Sequence, residues 1–235
     1  MISLIVSKGQ EIVDAEKLAE IKEEILKNFK AGDKLNSFSI ESVSIILSDD
    51  IGGGYKEGDE CEVISGDSLS YTEELLGYKF TVSPFAFFQV NTNVFEKMLN
   101  EIATFLDINE QTIVFDVCCG TGAIGICLSK KAKKVVGFEL IEAAVENARL
   151  NVALNKDTIE AGKCEYFAGR AEVTMPDVAR QYSGNWRENV TNDTGHTIVG
   201  IVDPPRSGLH KDVLKAIRTC KGLDRLVYVS CNAQS

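Results

Sequence analysis

Apolar and polar positions change their rhythm about a third of the way along the chain. Up to residue 80 the apolar runs are short. Ile2-Ser-Leu-Ile-Val6 reads as a strand, and Leu18, Ile21, Ile25 and Phe29 recur at helical spacing after a capping Asp14. Ser42–Leu47 and Glu60–Ile64 read as strands joined by a turn at Gly52-Gly-Gly54. From Tyr78 a strand and loop lead into a helix over 93–106, with Val94, Met98, Ile102 and Leu106 as its expected core positions. Thereafter strands and helices alternate. Strands are predicted at 112–118, 134–139, 163–168, 197–203 and 225–230, and helices at 122–132, 141–154, 173–182 and 210–221. The strands are apolar on both faces, as in a parallel sheet covered by helices on each side. The reading is a small α+β lobe over 1–80 followed by an α/β, doubly wound domain over 81–235. The polar stretch 182–196 reads as a loop.

Composition changes this picture little. The chain has 235 residues, 44% of them hydrophobic and 26% charged, which suits a globular protein. Its formal net charge of −10 counts against a large nucleic-acid footprint but leaves room for a small basic cleft. Seven cysteines without a pairing pattern, and no leader-like start, point to free thiols in a cytoplasmic or nuclear setting. No run approaches the length of a membrane span. With two histidines and no Cys-x-x-Cys pair, no metal is expected.

The chemistry-bearing residues cluster in the second domain. Asp116-Val-Cys-Cys-Gly-Thr-Gly122 leaves the first strand of the α/β region through a glycine turn. Gly120 permits the turn, and Gly122 lets a ligand approach bare backbone. Glu139 ends the next strand, nineteen residues after Gly120, where an acid can hold a ribose. Asp203-Pro-Pro-Arg206 follows the fourth strand, and Ser230-Cys-Asn232 the fifth. In a parallel sheet all these strand ends share one rim, which is where such folds bind ligands. Cys231, between Ser and Asn beyond a strand end, is a poor core position and a candidate nucleophile.

Together with Pro84-Phe-Ala-Phe-Phe-Gln89-Val-Asn91, Ala144-Val-Glu-Asn-Ala-Arg149 and Gly169-Arg-Ala-Glu172, these motifs occur in one order over roughly residues 70–235. In that order the chain resembles the S-adenosylmethionine-dependent RNA uracil-5-methyltransferase family. The resemblance implies a Rossmann-like class I methyltransferase fold, S-adenosyl-L-methionine as methyl donor, and RNA, above all tRNA, as partner. It implies that Cys231 is the catalytic nucleophile and that Gln89, Cys118, Gly120, Glu139 and Asp203 line the donor pocket. Phe87 would lie next to the target base.

The chain departs from the family in having Ala233 where proline is usual. It also ends before the glutamate base that the family carries. It therefore reads as a fragment cut after the fifth strand, which would bind the donor weakly and not turn over. Two other enzyme classes stay open on residues alone. A nicotinamide-dependent oxidoreductase fits the glycines and Glu139 but leaves Phe-Phe-Gln, Asp-Pro-Pro-Arg and Ser-Cys-Asn without a purpose. An amino-group methyltransferase would want an aromatic residue where Arg206 stands. A non-catalytic RNA- or cofactor-binding protein is the third alternative.

Overall fold

The computed structural model describes residues 2–7, 15–35, 38–48, 59–83, 87–89, 91–182, 195–205, 208–220 and 222–230. Contacts divide the chain into two units, 1–72 with 81–86, and 73–80 with 87–235.

In the first unit, β1 (Ile2–Ser7) pairs in parallel with β4 (Val43–Ser48), which pairs antiparallel with β5 (Glu60–Ser65). The predicted helix is α1 (Ala15–Asn28), and Leu18, Ile21, Ile25 and Phe29 are half-buried as their spacing requires. A two-residue ladder, β2 (Lys34–Leu35) with β3 (Phe38–Ser39), was not foreseen. Asp14 and the Gly52–Gly54 turn lie outside the described residues.

The residues of the hairpin of β6 (Tyr71–Leu75) and β7 (Tyr78–Val82), of which only the second strand is expected from the sequence, are divided between the two units. Its turn is Leu76-Gly77, with φ of 51° and 80°. Two positive φ values make the tight turn that matches strand twist, usually signalled by Asn-Gly. Leucine there hides the signal. Glu96 supports the turn by accepting the Leu76 N–H at 2.8 Å.

In the second unit, α2 (Thr92–Phe105) begins at Asn91, whose Oδ1 accepts the Val94 N–H. Its buried side chains are Phe95, Leu99, Ile102 and Ala103. Of the expected core positions, Ile102 and Leu106 are buried and Met98 is half-buried against the same core, whereas Val94 is 59% exposed and Phe95 and Leu99 take the buried places in the first turns.

Five strands follow: β8 (Thr112–Val117), β9 (Lys134–Glu139), β10 (Cys164–Ala168), β11 (Thr197–Val202) and β12 (Leu223–Tyr228). They form one parallel sheet in the order β10-β9-β8-β11-β12. The predicted doubly wound α/β sheet is therefore present. β12 begins two residues earlier than expected, because an irregular register at Ile198/Val199 lets Leu223 pair.

Side-chain alternation sends successive residues to opposite faces. Ile113, Phe115 and Val117 face a core with Met175, Val178 and Ala179 of α5 (Ala171–Tyr182) and with Ala216 and Ile217 of α6 (Lys211–Thr219). Val114, Val135 and Tyr166 face the other core, with α2, the short α3 (Ala123–Leu128) and Val145 and Ala148 of α4 (Glu142–Leu154). Asp116 has the parity of Val114, so it points at α3. At the margin strand β10, Lys163 O bonds Val135 N within the sheet, so Tyr166 O, three residues on, points outward. Arg149 Nη2 donates to it at 3.0 Å and also pairs with Glu146. No helix among the described residues is long and apolar enough to cross a membrane.

Candidate functional site

At the carboxyl rim, β8 hands over to a loop whose backbone is mostly left-handed. Cys118, Gly120 and Gly122 have φ of 62°, 53° and 81°. For Cys118 that conformation is uncommon. It is held by the Phe138 carbonyl, which accepts the N–H of both Cys118 and Cys119. Gly122, expected to lie open to a ligand, instead packs on Tyr166: a Cβ there would lie 2.8 Å from the Tyr166 hydroxyl, and something would have to shift. At Gly120 a Cβ would meet nothing within 4 Å, so the backbone there is open.

Glu139 ties this loop to the end of β9. Its Oε2 accepts the Gly120 N–H at 3.0 Å, and its Oε1 accepts the N–H of Leu140 and Ile141 at 2.7 and 3.0 Å. Gly169, after β10, bonds the Glu139 carbonyl at 2.8 Å. Beyond β11, Asp203 N donates to Val117 O at 3.3 Å, and burial pushes the Asp203 carboxyl up. The structure thus brings Cys118, Gly120, Glu139 and Asp203 to one rim. Open glycine backbone beside a carboxylate fits the ribose end of a nucleoside ligand.

Gln89 is half-buried and Phe87 is 76% exposed, while Phe88 lies tilted against Phe80, ring centres 5.6 Å apart, and packs on the core half-buried. Of the three neighbours, only Phe87 offers a free aromatic face. Cys231 lies outside the described residues, as do Pro84–Ala86 and Arg206. Just before Cys231, Val229 N, one residue beyond β12, donates to the O of Val202, the last residue of β11, at 2.8 Å.

Sequence reasoning passed over Asp116 as a site residue. It is completely buried; Oδ2 accepts the Gly125 N–H at 3.0 Å, and Oδ1 has no hydrogen-bond partner among the described residues. A charged residue inside the run Ile113–Val117 is itself the signal, since a buried carboxylate needs partners. Burial pushes its carboxyl up to about 7, opposed by the Gly125 N–H and helped by the charges of Asp203 and Glu139. An unfolded Asp titrates near 3.9. The folded state therefore holds its proton more tightly. The stability from this group is full below about pH 3.9 and is lost as pH rises to about 7, a loss of roughly 4 kcal/mol. Asp116→Asn keeps the acceptor for Gly125 and is expected to remove this slope. Urea midpoints between pH 4 and pH 8 check it, and equal slopes in the two proteins would refute it.

The described cysteines have thiols pushed up by burial. Cys118 reaches about 12 and Cys164 about 11, while Cys61, Cys119, Cys127 and Cys220 are also raised. None of the six is poised as a thiolate nucleophile.

Glu172, His210 and Asp212 bring three ligand-type atoms within 4.8 Å of one another. Glu172 is paired with Arg170 at 2.7 Å, and Glu172 and Asp212 occupy first helical turns, where carboxylates are favourable without a metal. An open depression lined by Arg149, Val152 and Cys164–Phe167 borders β10, and none of the predicted site residues lines it.

Residues 63–235 match the family model for tRNA (uracil-5-)-methyltransferase. The chain is 38% identical over 220 residues to the human tRNA (uracil-5-)-methyltransferase homolog A, covering 94% of this chain and 32% of that protein. It is 42% identical over 175 residues to homolog B of Danio rerio, covering 74% and 33%. It thus spans about a third of the length of these curated relatives. Among solved structures it resembles a Pyrococcus abyssi tRNA (uracil-54, C5)-methyltransferase in complex with S-adenosyl-L-homocysteine. That match has a TM-score of 0.54 and 25% identity, and covers 86% of this chain and 45% of that one.

Proposed function

The chain belongs to the tRNA (uracil-5-)-methyltransferase family, and we propose that it takes part in methylating carbon 5 of uridine in tRNA with S-adenosyl-L-methionine as donor. The observation that carries this reading is the gathering of the glycine loop, Glu139 and Asp203 at one rim of a parallel sheet. Glu139 and the open backbone at Gly120 would hold the ribose, with Gln89, Cys118 and Asp203 completing the pocket. Bound there, the donor supplies an electrophilic methyl group on a sulfonium.

Cys231 would do the activating. Its thiolate forms a bond to carbon 6 of uracil, and the electron pair of the 5,6 double bond moves onto the enolate system. Carbon 5 becomes nucleophilic enough to attack the methyl carbon, whose bond to sulfur would break and leave S-adenosyl-L-homocysteine as the thioether. A base then removes the carbon-5 proton, the double bond re-forms, and the thiolate leaves. Phe87, with its free ring, would stack on a uridine turned out of the RNA. The two residue ranges of the sequence reading, 1–80 and 81–235, would be an accessory lobe and the methyltransferase domain. The protein would work in the cytoplasm or nucleus, where tRNA is processed.

The test is to incubate the chain with methyl-labelled donor and tRNA. Label is expected in the RNA, either as 5-methyluridine or as an RNA–protein adduct mapping to Cys231. Label in an exocyclic amine, or affinity for NAD and none for S-adenosylhomocysteine, would overturn the reading.

A further inference from the structure

Helix α4 carries two buried asparagines one turn apart, Asn151 and Asn155, 1% and 6% exposed. A buried amide must satisfy its donors and acceptor, so each such residue reports what it holds. Asn155 closes the helix as its C-cap. Its side chain acts as an extra peptide unit beside β7: Oδ1 accepts the Lys79 N–H at 2.8 Å, and Nδ2 donates to Lys79 O at 2.7 Å. The same Nδ2 bonds Asn151 O at 2.8 Å, one of the end carbonyls a helix leaves without an internal partner. Asn151 Nδ2 in turn donates to Thr121 O, in the middle of the glycine loop, at 3.1 Å. A continuous chain of hydrogen bonds thus runs from the β7 backbone through α4 to the loop.

We propose that Asn155 and Asn151 form a bracket that positions the glycine loop relative to the hairpin preceding Phe87–Gln89, so that both sides of the donor pocket are set by one helix end. Neither residue touches the donor in this reading; both are positioning residues. That the pocket binds a methyl donor rests on the function proposed above, while the bracket itself stands on the hydrogen bonds alone. Networks of this kind are coupled, because loss of one member leaves the next buried group unpaired. Asn155 makes no hydrogen bond to the loop, so any effect it has there must pass through Asn151.

The experiment uses the 235-residue chain with Asn155→Leu and with Asn155→Ala, which removes the amide and its three hydrogen bonds without burying a charge. Amide hydrogen exchange is read without ligand at Gly120, Gly122 and Gly125, each of which donates a hydrogen bond in the loop. About tenfold faster exchange at these amides is expected, with the β8 and β9 interior unchanged. In parallel, S-adenosylhomocysteine affinity should fall about tenfold. The Asn151→Leu/Asn155→Leu double variant should lose less than the product of the two single losses. If Asn155→Leu does not fold, Asn155→Ala provides the same readout. Faster exchange confined to the neighbourhood of Lys79, or fully multiplicative losses, would overturn the bracket. Loop exchange that responds as expected in a protein that binds no S-adenosylhomocysteine would uphold the bracket and remove the donor assignment instead.

Discussion

Cys231→Ala is expected to eliminate the RNA–protein adduct and to cut methyl transfer to uridine by a factor of about a thousand or more, while S-adenosylhomocysteine affinity stays within about twofold. Removing a covalent nucleophile costs on the order of 10³- to 10⁶-fold where that group acts within a catalytic unit. The reason here is electronic. Carbon 5 of uracil does not attack an alkyl sulfonium unaided, and only addition at carbon 6 concentrates electron density on it. No described cysteine can substitute, since burial keeps all six protonated near neutral pH. Cys164 is the informative control. It lies on β10 outside the proposed pocket with its thiol pushed up to about 11 by burial, so Cys164→Ser should leave adduct formation in place. Denaturing gels with labelled tRNA read both variants. Adduct and methyl transfer that survive Cys231→Ala would remove the cysteine from the mechanism.

Gly137→Ala is expected to destabilise the second unit by about 3 kcal/mol or more. Gly137 occupies β9 with Asp116 of β8 on one side and Tyr166 of β10 on the other. A Cβ there would lie 2.2 and 2.5 Å from ring carbons of Tyr166 and 2.8 Å from Cys119 Sγ. Tyr166 has little room to retreat, because it is 5% exposed and its hydroxyl donates to the Gly122 carbonyl at 3.4 Å. Overpacking a tight core costs about 1–3 kcal/mol, occasionally more, and a rigid ring between two strands belongs at the upper end. For a domain of this size the thermal midpoint should fall by roughly 10 °C. Tyr166→Leu in the same background should recover part of the loss by removing the ring. A midpoint within about 1 °C of the parent would show that the ring has another place to go.

These residues also show what was legible in the chain. The sheet and its rim were readable because buried parallel strands write themselves as apolar runs, and because Gly120, Glu139 and Asp203 close such runs. The rest lacked a local signature. Tyr166 looks like any core aromatic, and only folding places it beneath Gly122, Gly125 and Gly137. Asn151 and Asn155 sit in a helix with a polar face, where an asparagine that grips a distant backbone is indistinguishable from one in water. The Leu76-Gly77 hairpin escaped because its strained leucine is supported by Glu96, twenty residues away. In α2 the spacing located Ile102 and Leu106 in the core, and only the first turn differs, where Phe95 rather than Val94 is buried.

Arg149 has a consequence for self-association. A foreign strand that joins a sheet needs a free row of carbonyls and amides along the outermost strand. On β10 the Tyr166 carbonyl is already occupied by a guanidinium that is flanked by Glu142 and Glu146. An incoming chain would have to displace this charged group to use the Tyr166 carbonyl. The guanidinium thereby opposes strand addition at the middle rung of this margin.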